Sequence, residues 1–169
     1  MSDKALDGKY KPGISETDLN TAVSRFLASS PYYICLLLIH PEIARLQTAV
    51  SHLAQTHNWA TLSIGRELSQ ALLPIAPRQR SRQANRVLPE LIFRHAPGPL
   101  LCADIDLLFE PTLALDPLAL LREASRKVTL IVAWPGRYQN GVLAYAMSEH
   151  THFRTWDKPD LCSHCIITL

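Results

Sequence analysis

The stretch Leu100–Phe109, with the sequence LLCADIDLLF, decides the predicted fold of this chain. Four mostly apolar residues lead into Asp104, Ile105 and Asp106, and a second apolar run follows. A continuously apolar strand is typical of a parallel sheet that is covered on both faces. Carboxylates at the C-terminal end of such a strand lie where open α/β sheets bind their ligands. The stretch therefore allows two interpretations. In one, Asp104 and Asp106 are acids that hold magnesium and an attacking water; in the other, they belong to a solvated turn that follows a buried strand.

Length and composition indicate one globular domain. The 169 residues suit a single sizeable core, and hydrophobic residues make up 47% against 19% charged residues. The formal net charge of +2 is too small to indicate nucleic acid or a membrane as a partner by itself. No apolar run approaches the about 18 residues of a membrane span, and no signal peptide is recognisable. Four cysteines without such a signal predict a reducing, cytoplasmic setting and no disulfide framework.

Apolar strands alternate with amphipathic helices around this stretch and predict parallel βαβ units with right-handed crossovers. The core strands are expected near residues 32–39, 60–64, 100–104 and 128–134. Helices are expected at Thr17–Ser29, Glu42–Gln55, Arg66–Leu73 and Pro117–Ser125, with a hairpin or edge strand at Val142–Met147. Pro135-Gly136 is expected to break the last core strand sharply. Residues 1–16 are expected to be a flexible tail, and residues 17–169 to form one three-layer α/β domain with a parallel sheet.

The turn after the first predicted strand is where a phosphate-binding loop would lie. The motif G-x-x-x-x-G-K-[ST] matches residues 41–48 only at Thr48, and Gln47 replaces the lysine. Both glycines are replaced by residues whose side chains keep backbone N–H groups from closing around phosphates. Glu42 adds negative charge where an anion should bind. The turn therefore indicates a vestigial nucleotide-binding site. The alternative is that the protein is a functioning ATPase whose phosphate loop is unusual.

The order of these elements resembles a small AAA-type P-loop domain, and ADIDLLF resembles the DEID form of the Walker B motif. In that register Ala103 replaces the magnesium-binding Asp, Asp104 replaces the catalytic Glu, and Asp106 matches the final acid. More narrowly, the chain resembles BrxF, the small P-loop family of type III BREX anti-phage defence systems. The matching stretches, within residues 60–156, are IGRELSQALLPIAPRQRS, DIDLLFEPTLALDPLALLREASR, TLIVAWPGRYQNGVLAYA and HTHFRTW.

This resemblance implies a P-loop NTPase-like, AAA-like core and membership of a bacterial antiviral defence complex. With both nucleotide motifs degenerate, we expect an accessory pseudo-ATPase that does not hydrolyse ATP, with ATP and magnesium disfavoured as cofactors. The implied partners are the large ATPase, methyltransferase or phosphatase-like subunits of such systems, and no membrane. The partner-facing surface is expected at one end of the sheet, near Arg45, Asp104 and Asp106, with the loop Glu110–Asp116 beside it. Trp134 and Arg137 are its predicted anchors, because interfaces favour aromatic and arginine side chains.

A cluster of arginines precedes the central stretch. Its members, within residues 77–86, are Arg78, Arg80, Arg82 and Arg86. Such a cluster can grip the phosphate backbone of DNA. No aromatic residue is interleaved, so base stacking is not indicated. The alternative interpretation is the solvated face of a helix.

The C-terminal segment contains a candidate zinc site. Its residues spell H-x-H-x9-C-x2-C and are His150, His152, Cys162 and Cys165. Cys-x2-Cys is half of a structural zinc ligand set, and two histidines can complete a tetrahedron. The alternative interpretation is a C-terminal strand, CIITL, with two incidental thiols and surface histidines.

Overall fold

A seven-stranded, mostly parallel sheet forms the centre of the computed structural model, which describes residues 13–169. In chain order the elements are α1 (Glu16–Ser29), β1 (Cys35–His40), α2 (Ile43–His57), β2 (Ala60–Ser63), α3 (Ile64–Leu72), α4 (Pro77–Phe93), β3 (Leu100–Ala103), α5 (Pro117–Ala124), β4 (Leu130–Gln139), β5 (Val142–Tyr145), β6 (Arg154–Asp157) and β7 (Ile166–Thr168). Short 3-10 helices lie at Asp106–Phe109, Pro111–Leu113 and Ser163–Cys165.

The parallel strands have the order β2-β3-β4-β1-β7. β4 continues beyond this sheet and pairs with β5, which pairs with β6, so that the last two strands form an antiparallel extension. One face of the sheet packs against α1 and α2, and the other packs against α3, α4, α5 and the β5–β6 hairpin. These layers confirm the predicted three-layer α/β class with a P-loop-like core.

Burial on both faces explains why the core strands have no polar alternation. In β1, Cys35, Leu37 and Ile39 join the cluster under α3, α4 and α5. Leu36 and Leu38 join the opposite cluster, under α1 and α2. Because successive side chains point to opposite faces and both faces are covered, all five residues are buried. The apolar run in the sequence is therefore the signature of a central parallel strand.

The predicted sharp break at Pro135-Gly136 is wrong, because β4 continues through both residues. Pro135 is the register partner of His40, the last residue of β1, and Gly136 begins the antiparallel pairing with β5. A proline is tolerated at this point because the strand changes partners there. Gly136 is required at the same point, because a Cβ would collide with the carbonyl group of Ala144 in β5.

The first helix begins one residue before its predicted start at Thr17. α1 begins at Glu16, and the hydroxyl of Ser15 caps it by accepting the N–H of Asp18 at 3.1 Å. Of the predicted tail, residues 1–12 lie outside the described residues. Within residues 13–169, no helix is both long enough and apolar enough to cross a membrane.

Candidate functional site

A groove of about 470 Å³ lies at the carboxyl edge of the parallel sheet. It is bounded by one side of α2, the start of α3, the ends of β2 and β3, and the part of β4 where parallel pairing stops. α2 follows β1 on one face of the sheet, whereas α3 and α5 follow β2 and β3 on the other face. In open α/β sheets, a crevice forms at the carboxyl ends of neighbouring strands whose following helices lie on opposite faces of the sheet. We call this feature the carboxyl-edge groove; its polar lining includes Gln47, Ser51, Ser63, Arg66, Asp104 and Asp106.

Asp104 is held at the groove by two hydrogen bonds from the β2–α3 junction. The hydroxyl of Ser63 donates to Asp104 Oδ2 at 2.6 Å, and the backbone N–H of Gly65 donates to the Asp104 carbonyl at 2.8 Å. The backbone of Asp104 lies in the left-handed region, with φ 53°, which Asp adopts more readily than most residues. The side chain and the backbone of Asp104 are therefore both positioned by a neighbouring strand end.

Asp106 is tied to the hairpin rather than to the sheet. The hydroxyl of Tyr145 donates to Asp106 Oδ1 at 2.6 Å, and the Tyr145 ring stacks on Phe109 with centroids 3.5 Å apart. Burial, together with the hydrogen bond and charge of Asp106, raises the pKa of Tyr145 well above its usual value. The phenol therefore stays protonated and remains a hydrogen-bond donor to Asp106 across the physiological pH range.

The groove offers hydrogen-bonding groups rather than a preformed metal site. Both carboxylates already accept a hydroxyl, and Ala103 lies beside them at the position of the expected magnesium acid. In the part of the chain that the structure describes, no three His, Cys, Asp or Glu side chains form a group able to hold a metal ion. The guanidinium of Arg66 is largely exposed and lies 3.5 Å from Glu67. This arrangement suits the polar groups of a ligand or of a protein partner.

The link between β1 and α2 consists of two residues, Pro41 and Glu42. The N–H of Glu42 donates to His40 Nδ1 at 2.9 Å, and its carboxylate lies 3.4 Å from the Arg45 guanidinium. A phosphate loop needs a run of backbone N–H groups that curve around the anion before the helix begins. Two residues, one of them a proline without an N–H, do not supply that run.

The two predicted vestigial nucleotide-binding residues do not flank one site. Gln47 lines the carboxyl-edge groove, whereas Thr48 lines a separate cavity of about 270 Å³ beside α1. The hydroxyl of Thr48 donates to the Ala44 carbonyl at 3.0 Å. Both residues lie in the second turn of α2, where adjacent side chains point about 100° apart. Because adjacent side chains on a helix point in different directions, Gln47 and Thr48 face different cavities.

Of the two predicted partner anchors, the structure leaves Arg137 exposed and corrects the placement of Trp134. The Trp134 side chain is fully buried, and its indole N–H donates to the Ala144 carbonyl at 2.9 Å. Its ring lies edge-to-face against Phe109, with centroids 5.3 Å apart. Arg137 is exposed two residues beyond Pro135, which lines the groove. A partner can reach Arg137 beside the groove but not Trp134.

The predicted arginine cluster lies on α4 and divides into two groups. Arg78, Arg82 and Arg86 recur at every fourth position and are all exposed, so they share one face of the helix. Arg80 turns back, and its Nε donates to the Ile75 carbonyl at 3.0 Å. The exposed row is about 12 Å long. We refer to Arg78, Arg82 and Arg86 below as the arginine row.

The four predicted zinc ligands are not brought together. Cys162 and Cys165 are joined in a disulfide, which differs from the expected free thiols. His150 and His152 lie in the loop between β5 and β6 with ring centroids 5.5 Å apart, and His152 Nε2 lies 3.7 Å from the Glu110 carboxylate. Within residues 13–169 the predicted ligand set is therefore not assembled.

Sequence reasoning missed the residues that hold the two acids in place. Ser63, Gly65 and Tyr145 all lie on other elements, about 40 residues from the acid each one contacts. For Asp104 the signal in the sequence was a serine and, two residues later, a glycine at the end of a predicted strand. Its meaning depends on β2 lying next to β3, which single-strand patterns do not reveal.

Comparisons of this chain with protein-family models, with curated proteins and with solved structures give no match.

Proposed function

We propose that this chain is an accessory, non-hydrolysing P-loop-like subunit, a pseudo-ATPase, of a bacterial BREX-type phage-defence complex. It acts in the cytoplasm through protein contacts. The observation that carries the non-hydrolysing role is the two-residue link, Pro41-Glu42, between β1 and α2 of a P-loop-like sheet. Support for the defence setting comes from the resemblance of four stretches to the BrxF family.

Negative charge at the β1–α2 link and in the groove also disfavours nucleotide binding. Glu42 stands at the start of α2, and Asp104 faces the groove without the magnesium acid beside it. A phosphate oxygen about 4 Å from a carboxylate is disfavoured by about 1–4 kcal/mol, depending on the local dielectric. A ligand that binds with a millimolar dissociation constant has only about 4 kcal/mol of binding free energy. Repulsion of this size would weaken ATP binding, and the Arg45 guanidinium, 3.4 Å from the Glu42 carboxylate, offsets only the part that comes from Glu42.

The carboxyl-edge groove supports a role in protein contacts. Its floor is formed by apolar side chains such as Leu46 and Val50, and its rim carries Arg66 and the two acids. An apolar centre with a polar rim is the usual anatomy of a protein interface. Arg137 is exposed two residues beyond Pro135, which lines the groove, and exposed arginines are frequent anchors. The large ATPase, methyltransferase or phosphatase-like subunits of BREX systems are the proposed partners.

Calorimetry with ATP and magnesium tests the first half of the proposal. We expect no detectable binding at millimolar ATP. The combined variant Pro41→Gly, Leu46→Gly, Gln47→Lys and Ala103→Asp should also fail, because it restores residue types but not the length of the loop. A micromolar dissociation constant for the wild-type chain would instead support the alternative of a functioning ATPase with an unusual phosphate loop.

Co-purification with the subunits of a type III BREX system tests the second half. Asp104→Ala and Arg137→Ala should each weaken complex formation about tenfold, which corresponds to about 1.4 kcal/mol and to a moderate interface residue. Arg25→Ala, an exposed position on α1 outside the groove, is the matched control and should leave recovery unchanged. Undiminished recovery and unchanged partner ATPase activity in both test variants would refute this placement of the interface.

A second candidate function, contact with DNA, is favoured by the arginine row on α4. Three exposed guanidinium groups on one helix face can neutralise phosphates and release counterions. Retention on duplex DNA at low salt should then fall steeply as salt rises. Each of Arg78→Ala and Arg82→Ala should reduce the slope of log affinity against log salt by about 0.9.

Arg80 provides the matched control for this test, because its guanidinium turns back to the Ile75 carbonyl. Arg80→Ala removes the same charge from the same helix and should leave the salt slope nearly unchanged. Absence of retention by the wild-type chain at low salt would exclude DNA contact, and the row would then be a solvated helix face.

A further inference from the structure

The disulfide between Cys162 and Cys165 lies in the segment that leads into β7. The two residues and those between them read CSHC, and Cys-x-x-Cys is the spacing of redox-active dithiols. Disulfides in cytoplasmic proteins are usually transient and catalytic or redox-sensing. We propose that this pair is a thiol–disulfide exchange site whose substrates are dithiols and disulfides. Neither the carboxyl-edge groove nor the arginine row uses these cysteines, so the site is a separate function.

The two cysteines differ in accessibility in the way that directional exchange requires. Cys162 is exposed, whereas Cys165 is only 4% exposed and belongs to the core cluster on the α1 and α2 face. Exchange proceeds by attack of a thiolate on one sulfur while the other leaves, and access decides which sulfur is attacked. An incoming thiolate therefore meets Cys162, and Cys165 is the leaving group.

The fold keeps the pair ready to close again after it has been reduced. Cys165 is followed directly by β7, whose Ile166 pairs in parallel with Leu37 of the central strand β1. The backbone N–H of Cys165 donates to the Cys162 carbonyl at 3.0 Å. These contacts do not depend on the S–S bond, so the two sulfurs stay near each other in the reduced form. A preorganised pair of this kind favours reversible cycling.

A groove of about 300 Å³ beside the disulfide provides room for a substrate. Its lining includes both cysteines together with Tyr32, Tyr33, Arg122 and Asp160. The Tyr32 side chain is 70% exposed, so its ring can contact the apolar part of a substrate. The Arg122 guanidinium is fixed over the Tyr33 ring, 5.4 Å from its centroid, and donates to the Pro159 carbonyl at 2.7 Å. The groove therefore places an exposed aromatic ring and a fixed cation in the lining that both cysteines share.

The exchange step balances without any further reactant. A thiolate of a dithiol substrate attacks Cys162 Sγ, so that a mixed disulfide forms and the Cys162–Cys165 bond breaks. The electron pair of that bond moves to Cys165 Sγ, which takes up a proton from water. The second substrate thiolate then attacks the substrate sulfur of the mixed disulfide and releases Cys162. The substrate is oxidised by two electrons, the pair is reduced by two, and the reverse sequence reduces a substrate disulfide.

Of the two remaining cysteines, Cys102 is the internal control, whereas Cys35 lines the groove beside the disulfide but is only 1% exposed. Both are buried in the central strands, and desolvation raises the pKa of the Cys35 thiol to about 12. Burial raises the pKa of Cys102 as well. A buried thiol in apolar surroundings reacts slowly because its thiolate, the reactive form, is disfavoured. Cys165 takes part in exchange nonetheless because its bonded partner, Cys162, is exposed to the attacking thiolate. Reactivity confined to Cys162 and Cys165 would therefore reflect their place in the fold and not the general presence of thiols.

The first test equilibrates the full chain in a series of reduced and oxidised glutathione mixtures, followed by alkylation and mass spectrometry of each cysteine. We expect the Cys162–Cys165 pair to pass from oxidised to reduced within the series while the circular dichroism spectrum stays native. After reduction, Cys162 should be alkylated at least about tenfold faster than Cys165, Cys35 or Cys102. A pair that stays oxidised in excess dithiothreitol, or that is reduced only as the chain unfolds, would overturn the proposal.

The second test traps the intermediate with oxidised glutathione as the probe. Cys165→Ser should accumulate a glutathione adduct on Cys162, because the resolving thiol is missing. Cys162→Ser should form at least about tenfold less adduct, because Cys165 is buried, and Cys102→Ser should behave as the wild type. Equal adduct formation in the two single variants would refute the assigned order of attack. If Cys165→Ser does not fold, the alkylation rates of the reduced wild-type chain decide the question.

Discussion

Replacing Trp134 with Ala is expected to lower the free energy of unfolding by about 3–5 kcal/mol, the range for deletion of a fully buried aromatic side chain. The ring is completely buried and lies edge-to-face against Phe109 and Trp156, with centroids 5.3 Å away in each case. Its indole N–H also satisfies the Ala144 carbonyl at 2.9 Å. The substitution removes both the packing and the link between β4 and β5.

Denaturant unfolding checks this result, and Trp134→Phe is its control. Phe keeps most of the apolar ring but loses the N–H donor, so its cost should be smaller, about 1–3 kcal/mol. The midpoint of thermal unfolding should fall by about 2–4 °C per kcal/mol in a chain of this size. A loss below about 1 kcal/mol for Trp134→Ala would be typical of a surface position and would contradict the burial of the side chain.

Gly136→Ala is expected to destabilise the chain by about 3 kcal/mol, the upper end of the usual range for overpacking. The added Cβ would collide with the carbonyl group of Ala144 and would approach the Tyr145 Cα to 3.2 Å. The obstructing atoms belong to the backbone of β5, so relief requires the hairpin to move away from β4. Tyr145 would move with the hairpin and release its hydrogen bond to Asp106.

Gly141→Ala is the matched control, since it makes the same substitution in the turn of the same hairpin. A Cβ at position 141 meets no atom within 4 Å. Its cost comes from the positive φ of 75° alone, which is about 1–2 kcal/mol for a residue with a side chain. Thermal unfolding of the two variants separates collision from strain. Equal destabilisation would show that the close approach of β4 and β5 is not what requires Gly136.

Trp134 was predicted to be an exposed interface anchor but is buried, which shows what a sequence pattern alone does not determine. Arguments from composition favour an aromatic residue near a strand end as an interface anchor. In the structure, β4 continues past Pro135 and the β5–β6 hairpin folds back over the indole. Whether an aromatic side chain is exposed depends on what packs over it, and here that is a hairpin whose second strand, β6, was not predicted.

The candidate zinc ligands illustrate the same limit. The spacing H-x-H-x9-C-x2-C is compatible with four ligands converging on one metal ion. In the structure, Cys165 is held at the start of β7 beside β1, while His152 lies beside Glu110. Spacing along the chain limits how far apart residues can be, but it does not bring them together.

The sequence by itself determined the alternation of strands and helices, the central apolar strands, the acids that follow β3, and the short link between β1 and α2. These features depend on side-chain period, turn residues and helix caps within a few positions. Only the tertiary structure decided that Ser63 contacts Asp104 across 41 positions and that Tyr145 contacts Asp106 across 39. It also decided that Trp134 is buried and that Gln47 and Thr48 face different cavities. The physical reason is that local preferences are set by neighbouring residues, whereas strand order and burial depend on the packing of the whole chain.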